Sequence, residues 1–135
     1  MKYLSSLNRR GVTQVAPRRS LRTSPTANRI KAVELCLMIE GQEGVTWSQW
    51  LDLAGACEQH GIGTLFRSDH YMNLDGQHPE RGSLDAWGTL CALAAVTTTL
   101  RLGTMVSPAT FRHPSELAKL VVTADRVSGG RVELG

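Results

Sequence analysis

Short apolar runs alternate with longer segments of helical periodicity from residue 31 to the last residue of the chain. The apolar runs predict four strands, over residues 33–39, 63–66, 100–106 and 132–134. The segments between them predict three helices, because their apolar side chains recur every three or four positions. Trp47, Trp50, Ala54 and Cys57 have this spacing in the first of these segments. The predicted order is therefore β-α-β-α-β-α-β.

Polar residues and glycines mark the predicted helix ends. Thr46 opens the first helix, and Gln49 three positions later completes a capping box. Gly61 is placed to end that helix in the left-handed conformation. Ser83 is predicted to cap the second helix, with Asp85 in its first turn.

Regular alternation of strands and helices requires a parallel sheet covered by helices. Each β-α unit takes roughly 30 residues, which suits both a TIM barrel and a doubly wound sheet. A dinucleotide-binding fold would place a Gly-rich turn after its first strand, but residues 40–44 (EGQEG) carry two acids that would repel a pyrophosphate. Because the chain ends within its fourth predicted strand, we predict the α/β class and a TIM (β/α)8 barrel truncated after the fourth strand.

The charge of the chain divides it into two regions. The first 33 residues contain eight lysines and arginines and no acidic residue, whereas the remainder carries seven basic and all twelve acidic side chains. Residues 1–30 are also rich in Ser and Thr and lack the apolar content of a core, which predicts a basic, disordered extension. A transit peptide and a nucleic-acid-binding arm are the alternatives for this region. Residues 31–135 form the predicted barrel domain.

Cysteine usage and hydropathy favour a cytoplasmic location. Cys36, Cys57 and Cys91 form no CxxC pair and lie in apolar runs, where Cys behaves as a small hydrophobic residue of a reducing compartment. No apolar run approaches the roughly 18–20 residues that span a bilayer. The arginines of residues 1–30 have no accompanying aromatic pattern, so we expect neither a membrane nor a nucleic acid as partner.

Active-site groups of a β/α barrel lie at the carboxyl ends of its strands. The strand-end positions with polar side chains are Glu40 and Gln42, then Ser68, Asp69, His70 and Tyr71, then Ser107, Thr110, Arg112 and His113. Residues 68–70 are the strongest local signal, because a His there can exchange a proton near neutral pH. Two interpretations of this run stay open: Asp69 orients a ligand beside His70, or Asp69 caps the loop and His70 is merely exposed.

Other chemistries fit these residues less well. A metal site of Asp69, His70 and His78 has no common zinc spacing and no nearby Cys, so we predict no metal. A Ser-His-Asp hydrolase would need a nucleophile elbow, which the chain lacks. Arg112 and His113 suit a phosphate, but polar residues are also routine where a helix starts.

Three stretches resemble the luciferase-like monooxygenase superfamily, in particular its branch of oxidoreductases that use the deazaflavin coenzyme F420. Residues 65–71 (LFRSDHY) resemble the strand-2 motif of these proteins, and residues 102–114 (LGTMVSPATFRHP) resemble their strand-3 motif. Residues 125–135 (DRVSGGRVELG) resemble the approach to strand 4. The resemblance begins near residue 31 and implies a TIM barrel.

The resemblance also implies roles for individual residues. In similar deazaflavin enzymes the His of the strand-2 Asp-His pair lies beside the cofactor ring, which makes His70 the predicted catalytic acid or base. A cis peptide that does not involve proline often backs the ring at the end of strand 3, and by position it would join Met105 and Val106. The predicted cofactor-binding residues are Ser68, Asp69, Met105, Val106 and Ser107.

The implied activity is hydride transfer between a small organic substrate and coenzyme F420, with FMN as the alternative cofactor. The pattern of the superfamily continues beyond four strands, so we expect this half-barrel to be inactive alone. We also expect a homo-oligomer, because four strands leave open sheet edges. The alternative is a non-enzymatic half-barrel that pairs with itself or with a protein partner.

Overall fold

The computed structural model describes residues 33–135, and the predicted extension over residues 1–30 lies outside them. The described part contains four strands and three helices in strict alternation. The strands are β1 (Cys36–Ile39), β2 (Thr64–Arg67), β3 (Arg101–Thr104) and β4 (Val132–Glu133). The helices are α1 (Trp47–His60), α2 (Ala86–Val96) and α3 (Pro114–Ser128). The predicted element order is therefore confirmed.

The four strands form one parallel sheet in the order β1-β2-β3-β4. Leu37 pairs with Leu65, Leu65 with Leu102, and Leu102 with Val132, so a row of apolar side chains crosses the sheet. All four belong to the core or pack against it. A sheet whose strands follow chain order, each reached through a helix, is the arrangement of a β/α barrel.

The core lies between this row and the three helices. Its fully buried members include Trp50 and Cys57 from α1, Leu90 and Leu93 from α2, and Ala124 from α3. Burying one side chain of Leu size stabilises the fold by about 1.5–3 kcal/mol. The helical periodicity of the sequence therefore marks the faces that the helices turn toward the sheet. Within residues 33–135 no helix is long and apolar enough to cross a membrane.

Capping confirms the predicted start and end of α1 and corrects the predicted start of α2. The Thr46 hydroxyl accepts from the Gln49 N–H, the Gln49 side chain accepts from the Thr46 N–H, and Gly61 ends α1 with a φ of 73°. The predicted cap at Ser83 is wrong: Asp85 is the cap, and its carboxylate accepts from the Gly88 N–H at 2.7 Å. The Ser83 hydroxyl donates instead to the carbonyl of His70 at 3.0 Å, so it serves the loop rather than the helix.

The strands are shorter than their apolar runs. The ladder between β1 and β2 starts at Cys36 and Thr64, and Val33 and Leu35 before it are exposed. At the other end of β3, Met105 and Val106 lie beyond the last paired residue and are also exposed. Strand β2 begins and ends one residue later than predicted. It includes the charged Arg67, which pairs with Ile39 and Thr104. Apolar content therefore overestimated the lengths of β1, β3 and β4, and β2 lies one residue later than predicted because it includes Arg67.

Candidate functional site

The predicted site residues gather at the carboxyl edge of the sheet. Residues 68–70 follow β2 directly, and residues 105–107 follow the neighbouring strand β3. The segment after β1 reaches the same edge, because the Gly41 N–H donates to the hydroxyl of Ser68 at 3.1 Å. The loops after β2 and β3 therefore adjoin each other, as expected for parallel strands.

Ser68 joins the loops that follow β1 and β2. Its side chain is buried, accepts from the Gly41 N–H and donates to the amide oxygen of Gln42. The Gln42 amide nitrogen donates in turn to the carboxylate of Glu40 at 2.6 Å. The hydroxyl of Ser68 is thus used within the protein, and its contact with a cofactor stays a prediction.

Asp69 is buried and paired with Arg112. Its two carboxylate oxygens accept from both terminal nitrogens of Arg112, the second at 3.1 Å. Arg112 also donates to Asp85, the cap of α2, at 2.6 Å. This arrangement favours the interpretation that Asp69 secures the loop, and its contact with a cofactor stays a prediction.

The charges of this cluster reinforce one another. Burial alone would lower the pKa of Arg112, but its hydrogen bonds to Asp69 and Asp85 raise it well above its usual value. Burial alone would raise the pKa of Asp85, but the Gly88 N–H and Arg112 bring it below its usual value. The pair between Arg112 and Asp85 is therefore ionised across the neutral pH range. Arg112 is occupied by carboxylates, which weakens its assignment to a phosphate.

His113 caps helix α3. Its Nδ1 accepts from the Ser115 N–H at 3.4 Å, and Pro114 occupies the first turn. Both residues of the phosphate alternative thus use their side chains within the protein. Arg112 binds Asp69 and Asp85, and His113 caps α3, which weakens that alternative.

Arg67 lies beneath the site and was not among the predicted site residues. Its guanidinium donates to the Thr89 hydroxyl at 2.7 Å and to the carbonyl of Leu84 at 2.9 Å, and it stacks on the Trp50 ring at 4.9 Å from the centroid. Burial lowers its pKa, while the negative charges of Asp69 and Asp85 oppose that shift. The sequence contained one signal for this role, since Arg67 directly follows an apolar strand. A charge at such a position is buried only when hydrogen-bond or ionic partners accompany it.

Gly41 leaves space for this guanidinium. A Cβ atom at position 41 would lie 2.5 Å from a terminal nitrogen of Arg67 and 3.0 Å from the Trp50 ring. Arg67 is 1% exposed and is held by hydrogen bonds to Ser68, Thr89 and Leu84, which a shift of the guanidinium would disturb. The glycine after β1 therefore permits the close approach of a backbone segment to a buried side chain.

His70 projects from the carboxyl edge into solvent. Its side chain is exposed, while its backbone carbonyl is held by Ser83. The next residue, Tyr71, stacks on Phe111 with ring centroids 4.6 Å apart and an interplanar angle of 15°. Tyr71 and Phe111 are 54% and 37% exposed respectively, so the stacked pair offers aromatic surface in the loops after β2 and β3.

The peptide bond between Met105 and Val106 is cis, which confirms the expectation for this position. Both side chains are exposed, at 48% and 59%. Ser107 is used internally: its hydroxyl accepts from the indole N–H of Trp87 at 3.0 Å and donates to the hydroxyl of Thr104 at 2.9 Å. Met105 and Val106 therefore offer apolar surface at this edge, and Ser107 fixes the turn that follows them.

Residues 33–135 bring together no group of three potential metal ligands among their His, Cys, Asp and Glu side chains. His78 lies with Glu80, whose carboxylate is 3.0 Å from its ring nitrogen. Asp69 is committed to Arg112. Asp69 and His78 of the metal alternative thus each bind a different partner within the described residues.

The arrangement suits a planar ligand with an adjacent proton carrier. Exposed apolar side chains at the end of β3 and exposed aromatic rings in the loops after β2 and β3 provide flat surface. His70 provides an exposed imidazole at the same edge, a side chain that can carry a proton. The buried polar groups below stabilise the loops. The described residues thus form consecutive units of a β/α barrel, with apolar, aromatic and imidazole side chains exposed at the carboxyl edge of the sheet.

Comparison with known proteins identifies the family. The profile described as luciferase-like monooxygenase matches residues 33–135, which is more than half of the chain. The chain belongs to this family. The profile covers the four strands and every predicted site residue.

Curated relatives and solved structures agree with this assignment. An uncharacterized protein of Mycobacterium tuberculosis is 33% identical over 96 aligned positions, covering 61% of this chain and 34% of that protein. The F420-dependent glucose-6-phosphate dehydrogenase of Nakamurella multipartita is 38% identical over 91 positions, covering 65% of this chain and 26% of that enzyme. The chain therefore spans about a third of the length of the curated relatives that it matches first.

A solved structure shows the same fold. The oxygenating constituent of 3,6-diketocamphane monooxygenase from Pseudomonas putida, a type II Baeyer-Villiger monooxygenase in complex with FMN, superposes with a TM-score of 0.62. The sequences are 19% identical, and the match covers 77% of this chain and 29% of the other. The described sheet is therefore the first part of a TIM barrel, as predicted.

Proposed function

We propose that this chain forms part of an oxidoreductase that transfers hydride between a small organic substrate and a deazaflavin or flavin. Coenzyme F420 is the proposed cofactor and FMN is the alternative. The observation that carries the proposal is the juxtaposition of His70 with exposed apolar and aromatic surface at one edge of a parallel sheet. Membership of the luciferase-like family supports the same class of chemistry.

The residues divide into ring contacts and supports. Met105 and Val106 are the proposed contacts for one face of the ring, because they are exposed and apolar at the end of β3. Ser68, Asp69 and Ser107 are proposed to act from beneath by fixing the loops, since their polar side-chain atoms are already hydrogen-bonded. Backbone contacts of these three residues with the cofactor belong to the same proposal.

A bound deazaflavin or flavin supplies the hydride acceptor or donor. His70 holds or receives the proton of the substrate group that changes oxidation state, because its imidazole is exposed at the edge of the sheet. The stacked Tyr71 and Phe111 rings are proposed to offer the ligand an aromatic surface next to this residue in the chain. The ion pairs of Arg112 with the buried Asp69 and with Asp85 connect the loops that follow β2 and β3.

Two of the similar proteins support the proposed order of the two cofactors. The dehydrogenase of Nakamurella multipartita is named as F420-dependent, whereas the Pseudomonas putida enzyme is in complex with FMN. The dehydrogenase is twice as similar in sequence, 38% against 19%, which favours coenzyme F420. The substrate class proposed here extends only to a small organic molecule.

Fluorescence titration of the intact protein with coenzyme F420 and with FMN tests the cofactor. We expect saturable binding of F420 and weaker binding of FMN, and no binding of either would contradict the proposal. His70→Ala should lower kcat by about 100-fold or more, since general acid-base groups contribute roughly 10²–10⁴, while the Kd for the cofactor changes little. His60→Ala is the control, because His60 is exposed in the last turn of α1.

The second candidate is a half-barrel without catalytic function that pairs with itself or with a protein. The observation that favours it is that β1 and β4 each have one edge without a strand partner within residues 33–135. A monodisperse dimer of this chain in light scattering, together with no binding of F420 or FMN, would support it. An aggregated product would count against it. The homo-oligomer and the cytoplasmic location stay predictions.

A further inference from the structure

Arg112 connects the two loops that carry the exposed residues of the site. It lies in the loop after β3, and its partners Asp69 and Asp85 stand at the start and the end of the loop after β2. Its side chain is 10% exposed and that of Asp69 is 1% exposed. One guanidinium therefore ties together the end of β2, the cap of α2 and the residue before the cap of α3.

We propose that Arg112 is a positioning residue: by holding Asp69 and Asp85 it fixes the backbone of residues 69–71 and thereby the place of His70 at the carboxyl edge. The proposal rests on the proposed function, in which His70 transfers the proton. It assigns to Asp69 the role of an anchor for the loop rather than of a ring contact.

The imidazole of His70 depends on its backbone for its position. The side chain is exposed and makes no side-chain hydrogen bond to the described residues. Its backbone is held on both sides, by the pair between Asp69 and Arg112 and by the bond from Ser83 to the His70 carbonyl. Ser83 lies two residues before Asp85, which Arg112 binds. Arg112 therefore holds the loop on both sides of the contact between Ser83 and His70.

A second contact crosses the same two loops above the ion pair. Tyr71 follows His70, Phe111 precedes Arg112, and the two rings stack. The Arg112 guanidinium lies 5.8 Å from the centroid of the Tyr71 ring. Residues close to the buried pair in sequence are therefore also in contact across the two loops. This is expected if the pair sets the relative position of the loops.

Stability alone does not account for this choice of residues. Taking two charges out of water costs several kcal/mol per ion, and a well-packed apolar pair of similar volume is often as stable or more so. A bidentate pair between Arg and carboxylate adds a fixed geometry that an apolar pair lacks. A defined geometry is what a proton-transfer group requires, because a displacement of about 1 Å can cost roughly 100-fold in rate.

The kinetic test compares Arg112→Lys with Arg81→Lys in the intact protein. Lys keeps the charge at position 112 but carries all its donors on one nitrogen, so it cannot reproduce the planar fork by which two nitrogens bind Asp69. Arg81 is the matched control, because it makes a more exposed ion pair with Glu43 between the loops after β1 and β2. We expect Arg112→Lys to lower kcat by about 10–100-fold, with KM and the cofactor Kd within about threefold, and Arg81→Lys to change none of them.

A structural readout separates failure of this inference from failure of the proposed function. Backbone ¹⁵N relaxation of residues 69–71, measured without substrate or cofactor, reports the order of the segment whatever the chemistry is. We expect the order parameters to fall from about 0.85 to below about 0.6 in Arg112→Lys and to stay unchanged in Arg81→Lys. Unchanged order in Arg112→Lys would overturn the inference. Lower order in Arg112→Lys with an unchanged kcat would also overturn the inference. So would a kcat that falls together with the affinity for substrate or cofactor.

If Arg112→Lys does not fold, Asp85→Asn provides the same test at smaller amplitude. This change weakens one contact of Arg112 and leaves the bidentate pair with Asp69, and the Asn side chain still caps α2. We expect a loss in kcat of about threefold and a smaller fall in order at residues 69–71. A folded Asp85→Asn variant with neither change would overturn the inference.

Discussion

The two edges of the sheet use charged side chains in opposite ways. At the amino edge, Arg131 donates to the carbonyls of Ala94, Thr97, Leu100 and Ser128, and Glu58 accepts from the N–H groups of residues 98–100. At the carboxyl edge, Arg112 and Asp69 bind each other. At the amino edge Arg131 and Glu58 thus bind mainly backbone groups, whereas at the carboxyl edge Arg112 and Asp69 bind each other's side chains.

This difference explains where chemistry is possible. Side chains that saturate backbone groups close the loops at the amino edge and leave little for a ligand to contact. At the carboxyl edge the buried pairs hold the loops from below, so His70, Tyr71, Met105 and Val106 stay exposed above them. In β/α barrels the first edge serves stability and the second serves function. The predictions below test that division through the free energy of unfolding.

Arg131→Met should have the largest effect, lowering the free energy of unfolding by about 3 kcal/mol. The reason is that four carbonyls around the end of α2 and α3 lose their donor at once. Urea unfolding measures the change. Arg126→Met is the control, because Arg126 is exposed in the last turn of α3, and an equal loss in both variants would contradict the role of Arg131.

Glu58→Gln should cost on the order of 1 kcal/mol at neutral pH, since the carboxylate is partly exposed and screened by solvent. Hydrogen bonds from the backbone N–H of Thr99 and its neighbours lower the pKa of Glu58 to about 2. A lowered folded-state pKa means that the stabilisation is complete above pH 4.5 and is lost as the pH falls from 4.5 to about 2.

Urea titrations from pH 6 to pH 2 check this sign. The difference in stability between the wild type and Glu58→Gln should shrink as the pH falls. Asp52→Asn is the control, because Asp52 is exposed on the same helix. A difference that grows in acid would refute the assignment of the shift to Glu58.

Phe111→Ala should cost about 0.5–1.5 kcal/mol, because it removes the stacking partner of Tyr71 at the carboxyl edge. The ring proton resonances of Tyr71 should also move downfield as the neighbouring ring current is lost. Thermal unfolding and proton NMR measure the two effects. Phe111→Tyr retains the stack and should show neither, whereas equal losses in both variants would argue against stacking as the cause.

His70→Ala should have the smallest effect on stability, within about 0.5 kcal/mol, because the imidazole is exposed. The comparison between the edges is sharpest here, since the same change is expected to produce the large loss in turnover described above. Urea unfolding measures the first quantity and steady-state kinetics the second. A loss of several kcal/mol would mean that the imidazole belongs to the supporting network.

Local pattern accounts for the part of the fold that was predicted correctly. Element order, the capping box of Thr46 and Gln49, and the glycine end of α1 depend on residues within a few positions of each other. Strand ends were less well predicted, because pairing with a neighbouring strand sets them and apolar content does not. The cis bond at Met105–Val106 was expected only through resemblance to a family.

The support beneath the site could not be predicted from the sequence for a similar reason. Arg112 and Asp69 are 43 positions apart, and Arg67 and Thr89 are 22 apart. Nothing in the local sequence distinguishes an Arg that binds a phosphate from one that binds two carboxylates. The sequence could single out His70 as a candidate because its position after a strand is a local property, whereas the groups that hold its backbone come together only in the folded chain.

The anchoring of the loop after β2 at its two ends has a consequence for how this site can change. Asp69 and Asp85 are fixed by one arginine, while Met72 and Leu74 in the middle of the loop are exposed, at 76% and 66%. Substitutions in the middle can therefore alter the surface next to His70 without moving the anchors. A chain built this way can change the exposed surface of its loop tip while the backbone that carries His70 keeps its place.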